Sequence, residues 1–209
     1  MDARDDENTF LHWAAVTNDT DHLKKLLKVE GINVNAKNKY GDASLHLAAC
    51  EGNVEHIQLL LKIKDINVNI KNKYGDTPLH LAVYANHLTI VQVLLDQPFI
   101  NVNSKGKDGL TPLHLASNNA HVEAVELLLN TIGIDINARD KDDNTPLHLA
   151  AYGGKIEVVQ LLLEHKSLNI NAKKNKYSST ALHLETCQAD LEVSKILLKT
   201  KGIDVRIKN

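Results

Sequence analysis

Eleven histidines in 209 residues invite a metal site before anything else, because imidazole is the commonest protein metal ligand. Six of them, His12, His46, His80, His114, His148 and His183, stand in copies of one hexapeptide, clearest in Thr77-Pro78-Leu79-His80-Leu81-Ala82. The steps between copies are 34, 34, 34, 34 and 35 residues. Metal ligands must converge on one ion at roughly 2 Å, whereas like positions in a stacked array lie about a helix diameter apart. Each motif histidine is therefore expected to hydrogen-bond within its turn and help lock adjacent loops. His22, His56, His87, His121 and His165 lie on or beside a second helix of their units and show no ligand cluster.

Two loops resemble ion or phosphate sites only in part. Asp140-Lys141-Asp142-Asp143-Asn144 opens like a calcium loop, but Thr145 stands where a glycine is required and Ala151 where a bidentate glutamate is needed. Lys105-Gly106-Lys107-Asp108-Gly109 lacks the spacing of a phosphate-binding loop and reads as a turn. The chain contains no nucleophile elbow, His-Glu-x-x-His or Cys-x-x-Cys. No catalytic residue, metal or cofactor is expected. Cys50 and Cys187 hold the same register position four units apart, too far for a disulfide; free thiols point to the cytoplasm or another reducing compartment.

The elements that carry these residues follow from one unit. Asn72-Lys73-Tyr74-Gly75-Asp76 predicts a hairpin-like turn, with a glycine suited to positive φ. Thr77 then supplies an N-cap oxygen, and Pro78 sits at the first helical position. Leu79, Ala82 and Val83 mark one buried stripe of a two-turn helix. A second helix is expected from about Leu88 to Leu95, with Leu88, Val91, Leu94 and Leu95 on one face. Phe99-Ile100-Asn101-Val102-Asn103 reads as a short extended arm into the next turn. Helices this short are marginal alone in water, so each pair must stack on its neighbours.

Thr-Pro-Leu-His-Leu-Ala, with a following glycine-containing loop, Ile156-Glu157-Val158-Val159-Gln160-Leu161-Leu162-Leu163 and Asn169-Ile170-Asn171-Ala172, resembles the ankyrin repeat over essentially the whole chain. The resemblance implies an all-α ankyrin-repeat solenoid of helix-loop-helix units joined by β-hairpin-like loops. One domain is expected over 1–209, with repeats at approximately 4–37, 38–71, 72–105, 106–139, 140–174 and 175–209. Most units have one residue more than the common 33, placed between the second helix and the Asn-x-Asn arm.

The first unit is degenerate, as an end cap should be: Glu7 replaces the turn glycine, Phe10 the proline, and Trp13 is expected to fill the core of the cap. Ala43 removes the threonine cap of the second unit. Units three to five are the most regular and should be the most stable locally. Glu185, in place of an alanine, must be open to water or meet a cationic partner, and exposure is the expectation. Arg206-Ile207-Lys208-Asn209 matches Asn69-Ile70-Lys71-Asn72, where another unit would begin. The expectation is a segment of a longer array or of a larger protein.

Specificity must then sit on positions that stacking leaves free, which in the ankyrin family line the concave face and the hairpin tips. All five tyrosines fall there: Tyr40, Tyr74 and Tyr177 at the turn, Tyr84 and Tyr152 after the paired alanines, where Asn118 also stands. A lysine precedes each turn tyrosine or its substitute: Lys39, Lys73, Lys107, Lys141 and Lys176. Asp42, Asp76, Asp108 and Asp142 partly cancel them. A lysine ladder interleaved with tyrosine suits a protein face or extended peptide carrying acidic groups. The net charge of -2 gives no reason to expect nucleic acid. No apolar run approaches the roughly 18 residues of a membrane span, and no signal sequence opens the chain. The expected function is a non-enzymatic, monomeric protein-interaction scaffold; the alternative is a targeting or regulatory segment of a protein whose activity lies elsewhere.

Overall fold

The structure is a computed structural model that describes residues 7–17, 19–174, 179–186 and 191–208, with 185 and 186 described by their backbone alone. Each hexapeptide starts a helix for a local reason. Thr77, Thr111 and Thr145 hold extended φ/ψ as N-caps, and the following proline takes the first helical position, where no N–H is needed.

The helices come in pairs: α1 (Phe10–Val16) with α2 (Thr20–Leu26), α3 (Ser44–Glu51) with α4 (Val54–Leu61), α5 (Pro78–Tyr84) with α6 (Leu88–Leu95), α7 (Pro112–Asn119) with α8 (Val122–Leu129), α9 (Pro146–Tyr152) with α10 (Ile156–Glu164), and α11 (Ala181–Thr186) with α12 (Leu191–Lys199). The chain divides into two units, Met1–Lys107 and Asp108–Asn209. In the first, α3 lies between α1 and α5, and α4 between α2 and α6. In the second, α9 lies between α7 and α11, and α10 between α8 and α12. The fold is all-α, and no strand occurs among the described residues.

Small residues let the first helices approach closely. Ala48, Ala49, Ala82, Ala116, Ala150 and Ala151 are completely buried, as are Leu45, Leu79 and Leu113 one turn earlier. The buried stripe of α6 differs from the expected one: Ile90, Val91 and Leu94 are inside, and Leu88 and Leu95 only half-buried. Because α6 packs on both α5 and α4, its covered face turns toward Ile90. Trp13 is also a correction. It is 38 % exposed, because α1 packs through Leu11, His12, Ala14 and Ala15, and Trp13 occupies the half-covered place held by Leu47 and Leu81.

The hairpin-like loops are tight turns. Backbone N–H groups of Asn38, Asn72 and Asp140 donate to the carbonyls of Asp42, Asp76 and Asn144 at 2.9, 2.9 and 3.0 Å. Glu7 and Asp143 take the left-handed place of Gly41, Gly75 and Gly109, with φ of 52 and 61°. The segment 99–103 is not extended. It is turned by Ile100 N–H to Gln97 O and Ser104 N–H to Asn101 O at 3.3 and 3.1 Å, with Val102 buried between.

Ala43 gives a clean test of the cap. Its N–H donates to His46 Nδ1 at 3.0 Å, as Thr77 N–H does to His80 at 3.1 Å, but it lacks the hydroxyl that Thr77 places 2.8 Å from that nitrogen. Ala43→Thr is expected to raise stability by about 1 kcal/mol, read as a higher urea midpoint at unchanged slope.

Candidate partner-binding surface

Three kinds of side chain recur at the repeat interval and tie neighbouring helix pairs together within a unit. The first is the motif histidine. Nδ1 accepts the N–H of residue 9, 43, 111 or 145 at 3.0 to 3.2 Å. This leaves the proton on Nε2, which donates to the carbonyl of Asp42, Asp76, Asn144 or Ser179 at 2.8, 3.0, 3.0 and 3.3 Å, in the same order from His12, His46, His114 and His148. These rings are buried. Burial pushes the His148 pKa down to about 4 against the opposing Ser179 carbonyl, with Arg139 and Lys174 adding to the fall. Burial also lowers the pKa of His46, against the Asp76 carbonyl and the Asp42 charge.

The second is an asparagine of the Asn-x-Asn arm. Asn35, Asn69 and Asn137 donate through Nδ2 to the carbonyls of Asp65, Phe99 and Ser167 at 2.7, 2.8 and 2.7 Å. Their Oδ1 atoms accept the N–H of Asn67, Asn101 and Asn169 at 2.9, 2.8 and 2.8 Å. Each amide thus pairs with the backbone of the next arm. The third is a cation just before the turn: Lys37, Lys71 and Arg139 donate to the carbonyls of Lys71, Lys105 and Lys173 at 2.7, 2.8 and 2.7 Å. Neither of these last two ties was expected from sequence. Their signal was present, as the unbroken recurrence of Asn and of a cation at fixed register.

What remains are the turn tips and the ends of the first helices. Tyr40 and Tyr74 are 37 % and 56 % exposed, Tyr84 and Tyr152 64 % and 54 %. The turns that carry them are rigid: Asn38 Oδ1 accepts the N–H of Tyr40 and Asp42, and Asn72 Oδ1 those of Tyr74 and Asp76, all at 2.9 to 3.0 Å. Asp140 serves its turn likewise, accepting from the N–H of Asp142 and Asn144 at 2.8 Å. Its carboxylate is thereby a turn-former, and no group of three or more metal-ligating residues is gathered among the described residues.

The lysine ladder is uneven. Lys39 Nζ lies 5.0 Å from the Tyr40 ring centre and Lys107 Nζ 5.8 Å from that of Tyr74. Lys73 is exposed, its N–H donating to Tyr40 O at 3.0 Å. Lys141 is ion-paired to Asp108 at 2.6 Å, which raises its pKa. Asn118 is exposed and donates to Asn119 Oδ1 at 3.3 Å. Lys176, Tyr177 and Cys187, with the side chain of Glu185, lie outside the described residues.

A family model of ankyrin repeats matches the chain three times, over residues 1–72, 64–140 and 132–209. The chain belongs to the ankyrin repeat family. Each match takes in two of the six histidine motifs. No curated protein gives a match of its own. Ankyrin repeats are in general protein–protein interaction modules, and no helix among the described residues is long and apolar enough to cross a membrane.

One surface residue of this ankyrin array stands apart. Phe99 is 94 % exposed and holds φ at 65°, where Gly31, Gly133 and Gly202 occupy the same register at 75, 84 and 94°. A side chain in this left-handed region costs roughly 1 kcal/mol or more. Phe99→Gly is expected to stabilise the protein by about 1 kcal/mol in urea unfolding, while Phe99→Ala, which keeps the Cβ, should change little. Its signal in the sequence was an aromatic residue at a register position that Gly31, Gly133 and Gly202 share with Asp65 and Ser167.

Proposed function

We propose that this ankyrin repeat chain is a non-enzymatic scaffold that holds another protein through its hairpin tips and the exposed ends of its first helices, the surface that the family resemblance calls concave. One observation carries the reading. Recurrent polar side chains are taken up in stacking, whereas the tyrosines at variable positions stand exposed on turns and helices that fix their direction. Rigid phenol rings offer large contact area at small entropic cost, the usual make-up of binding hot spots. The free Cys50 supports work in a reducing compartment.

Tyr84→Ala and Tyr152→Ala, one on each unit, are expected to cost about 1 to 2 kcal/mol of affinity each. Calorimetry with a partner retained from cytosol by the immobilised chain would read this. The melting temperature should stay put, since both rings are exposed. A lowered melting temperature with unchanged affinity would overturn the reading.

A further inference from the structure

We propose that the chain associates head to tail: the exposed side of α1 and α2 takes α12 and the arm that follows it from a second copy, in place of the monomer expected from the sequence. This goes beyond the scaffold reading and does not rest on it.

The head is one half of a helix-pair interface. Thr9, Phe10, Leu26, Val29 and Ala36 line an open, largely apolar cavity of about 280 Å3. In each of the five later helix pairs the places of Thr9, Phe10 and Leu26 are buried, as Thr77, Pro78 and Leu94 illustrate. Here Phe10 is 77 % exposed, Thr9 and Val29 are exposed, and Leu26 is only half-buried. A terminal repeat ordinarily turns a polar face outward. This one shows a phenylalanine where the others bury serine, proline or alanine.

What covers such a face is visible inside the first unit. Ser44 Oγ donates to Val34 O at 3.5 Å, so the arm of one pair lies on the start of the next pair's first helix. Val205 holds the register of Val34, and Phe10 that of Ser44. Val34, Val102 and Ile136 are buried, and Val68 and Ile170 half-buried, whereas Val205 is 62 % exposed. On α12, Leu198 is exposed, although Leu61, Leu95, Leu129 and Leu163 at its register are half-buried. A second copy seated in this way brings Val205 to Phe10 as Val34 comes to Ser44, and removes apolar side chains on both sides from water.

Charge favours unlike ends. Residues 1–37 carry seven acidic and five basic side chains, and 175–209 carry four acidic and six basic. Head meeting tail is therefore attractive, and either end meeting its own kind is not. Such a contact is heterologous, so each dimer keeps one free head and one free tail and growth continues with concentration.

Sedimentation velocity on the full chain across the micromolar range tests this. The wild-type chain is expected to grow past the dimer as concentration rises. Phe10→Asp and Val205→Asp, one on each face, should each weaken association at least tenfold, because each spoils one half of every contact. Mixed in equal amounts, the two variants should form a dimer and stop there, since one keeps its Val205 and the other its Phe10. Ile132→Asp, at an exposed apolar side chain on neither end pair, should leave association unchanged. Aspartate suits the first turn of α1, and thermal melts check that all three variants fold. A wild-type chain that stays monomeric throughout would overturn the proposal and leave the face to a different partner. So would a Phe10→Asp or Val205→Asp variant that grows as the wild type does, a mixture that stays monomeric, or lost association in Ile132→Asp. The scaffold reading stands in each case, since Tyr84 and Tyr152 end the inner helices α5 and α9.

Discussion

Lowering the pH from 7 to 4 is expected to remove on the order of 3 kcal/mol of stability through His148 alone. The ring is buried with Nδ1 accepting from Thr145 N–H at 3.1 Å and Nε2 donating to Ser179 O at 3.3 Å. Its pKa is lowered from 6.5 to about 4. Protonation would place a second N–H against the Thr145 N–H and desolvate a cation. Between these two values the unfolded chain binds more protons than the native one, so stability rises with pH. The loss on acidification starts near 6.5 and saturates below about 4. His46, shifted in the same direction, adds to it in the first unit.

Carboxylates act in a lower window. Glu55 beside Lys24, and Asp204 beside Arg206, have depressed pKa values from ordinary ones of 4.5 and 3.8, so their contribution is complete above those values and lost beneath them. Urea titrations at pH 7, 6 and 5 therefore isolate the histidines. A midpoint unchanged from pH 7 to 5 would show that the rings are not held neutral by the fold.

Gly41→Ala is expected to cost roughly 2 to 4 kcal/mol, and Gly75→Ala only about 1 to 2. Both glycines are left-handed, at φ 79 and 86°, so both variants carry the same conformational penalty. They differ in what a methyl group would meet. At position 41 it would lie 2.6 Å from Lys73 N and 3.1 Å from Asn72 C, both backbone atoms of the next turn. It would push apart the very contact in which Lys73 N–H donates to Tyr40 O. At position 75 the nearest atom, Gly106 C, stands at 3.5 Å, an ordinary contact. Equal urea midpoints for the two variants would mean that adjacent turns are free to move apart, and that the first unit's tips are not a fixed row.

Much of the fold was legible because its signals are short-range. Thr77, Pro78 and His80 lie within one helical turn, and the cap that they form depends on almost nothing else. The turn position shared by Gly41, Gly75 and Gly109 was equally plain, and its left-handed backbone holds even where Glu7 and Asp143 replace glycine. The expectation failed where a second neighbour matters. The covered face of α6 is set by α4 as well as α5, and Trp13, expected in the core of the cap, stands partly outside a core that α1 builds from Leu11, Ala14 and Ala15.

By itself the sequence determined a 34-residue beat, helix pairs that cannot stand alone, and a histidine committed to its own turn, since each follows from residue types a few positions apart. Which polar side chains are left over for a partner was decided only by tertiary structure. Lys141 is neutralised by Asp108, Asp76 is occupied by Lys107 N–H, and Lys37 and Lys71 are tied to the next turn, all by groups 31 to 34 residues distant. A charge's availability depends on what stacks beside it. That depends on how one unit's helix pairs close on one another, which no single stretch of chain encodes.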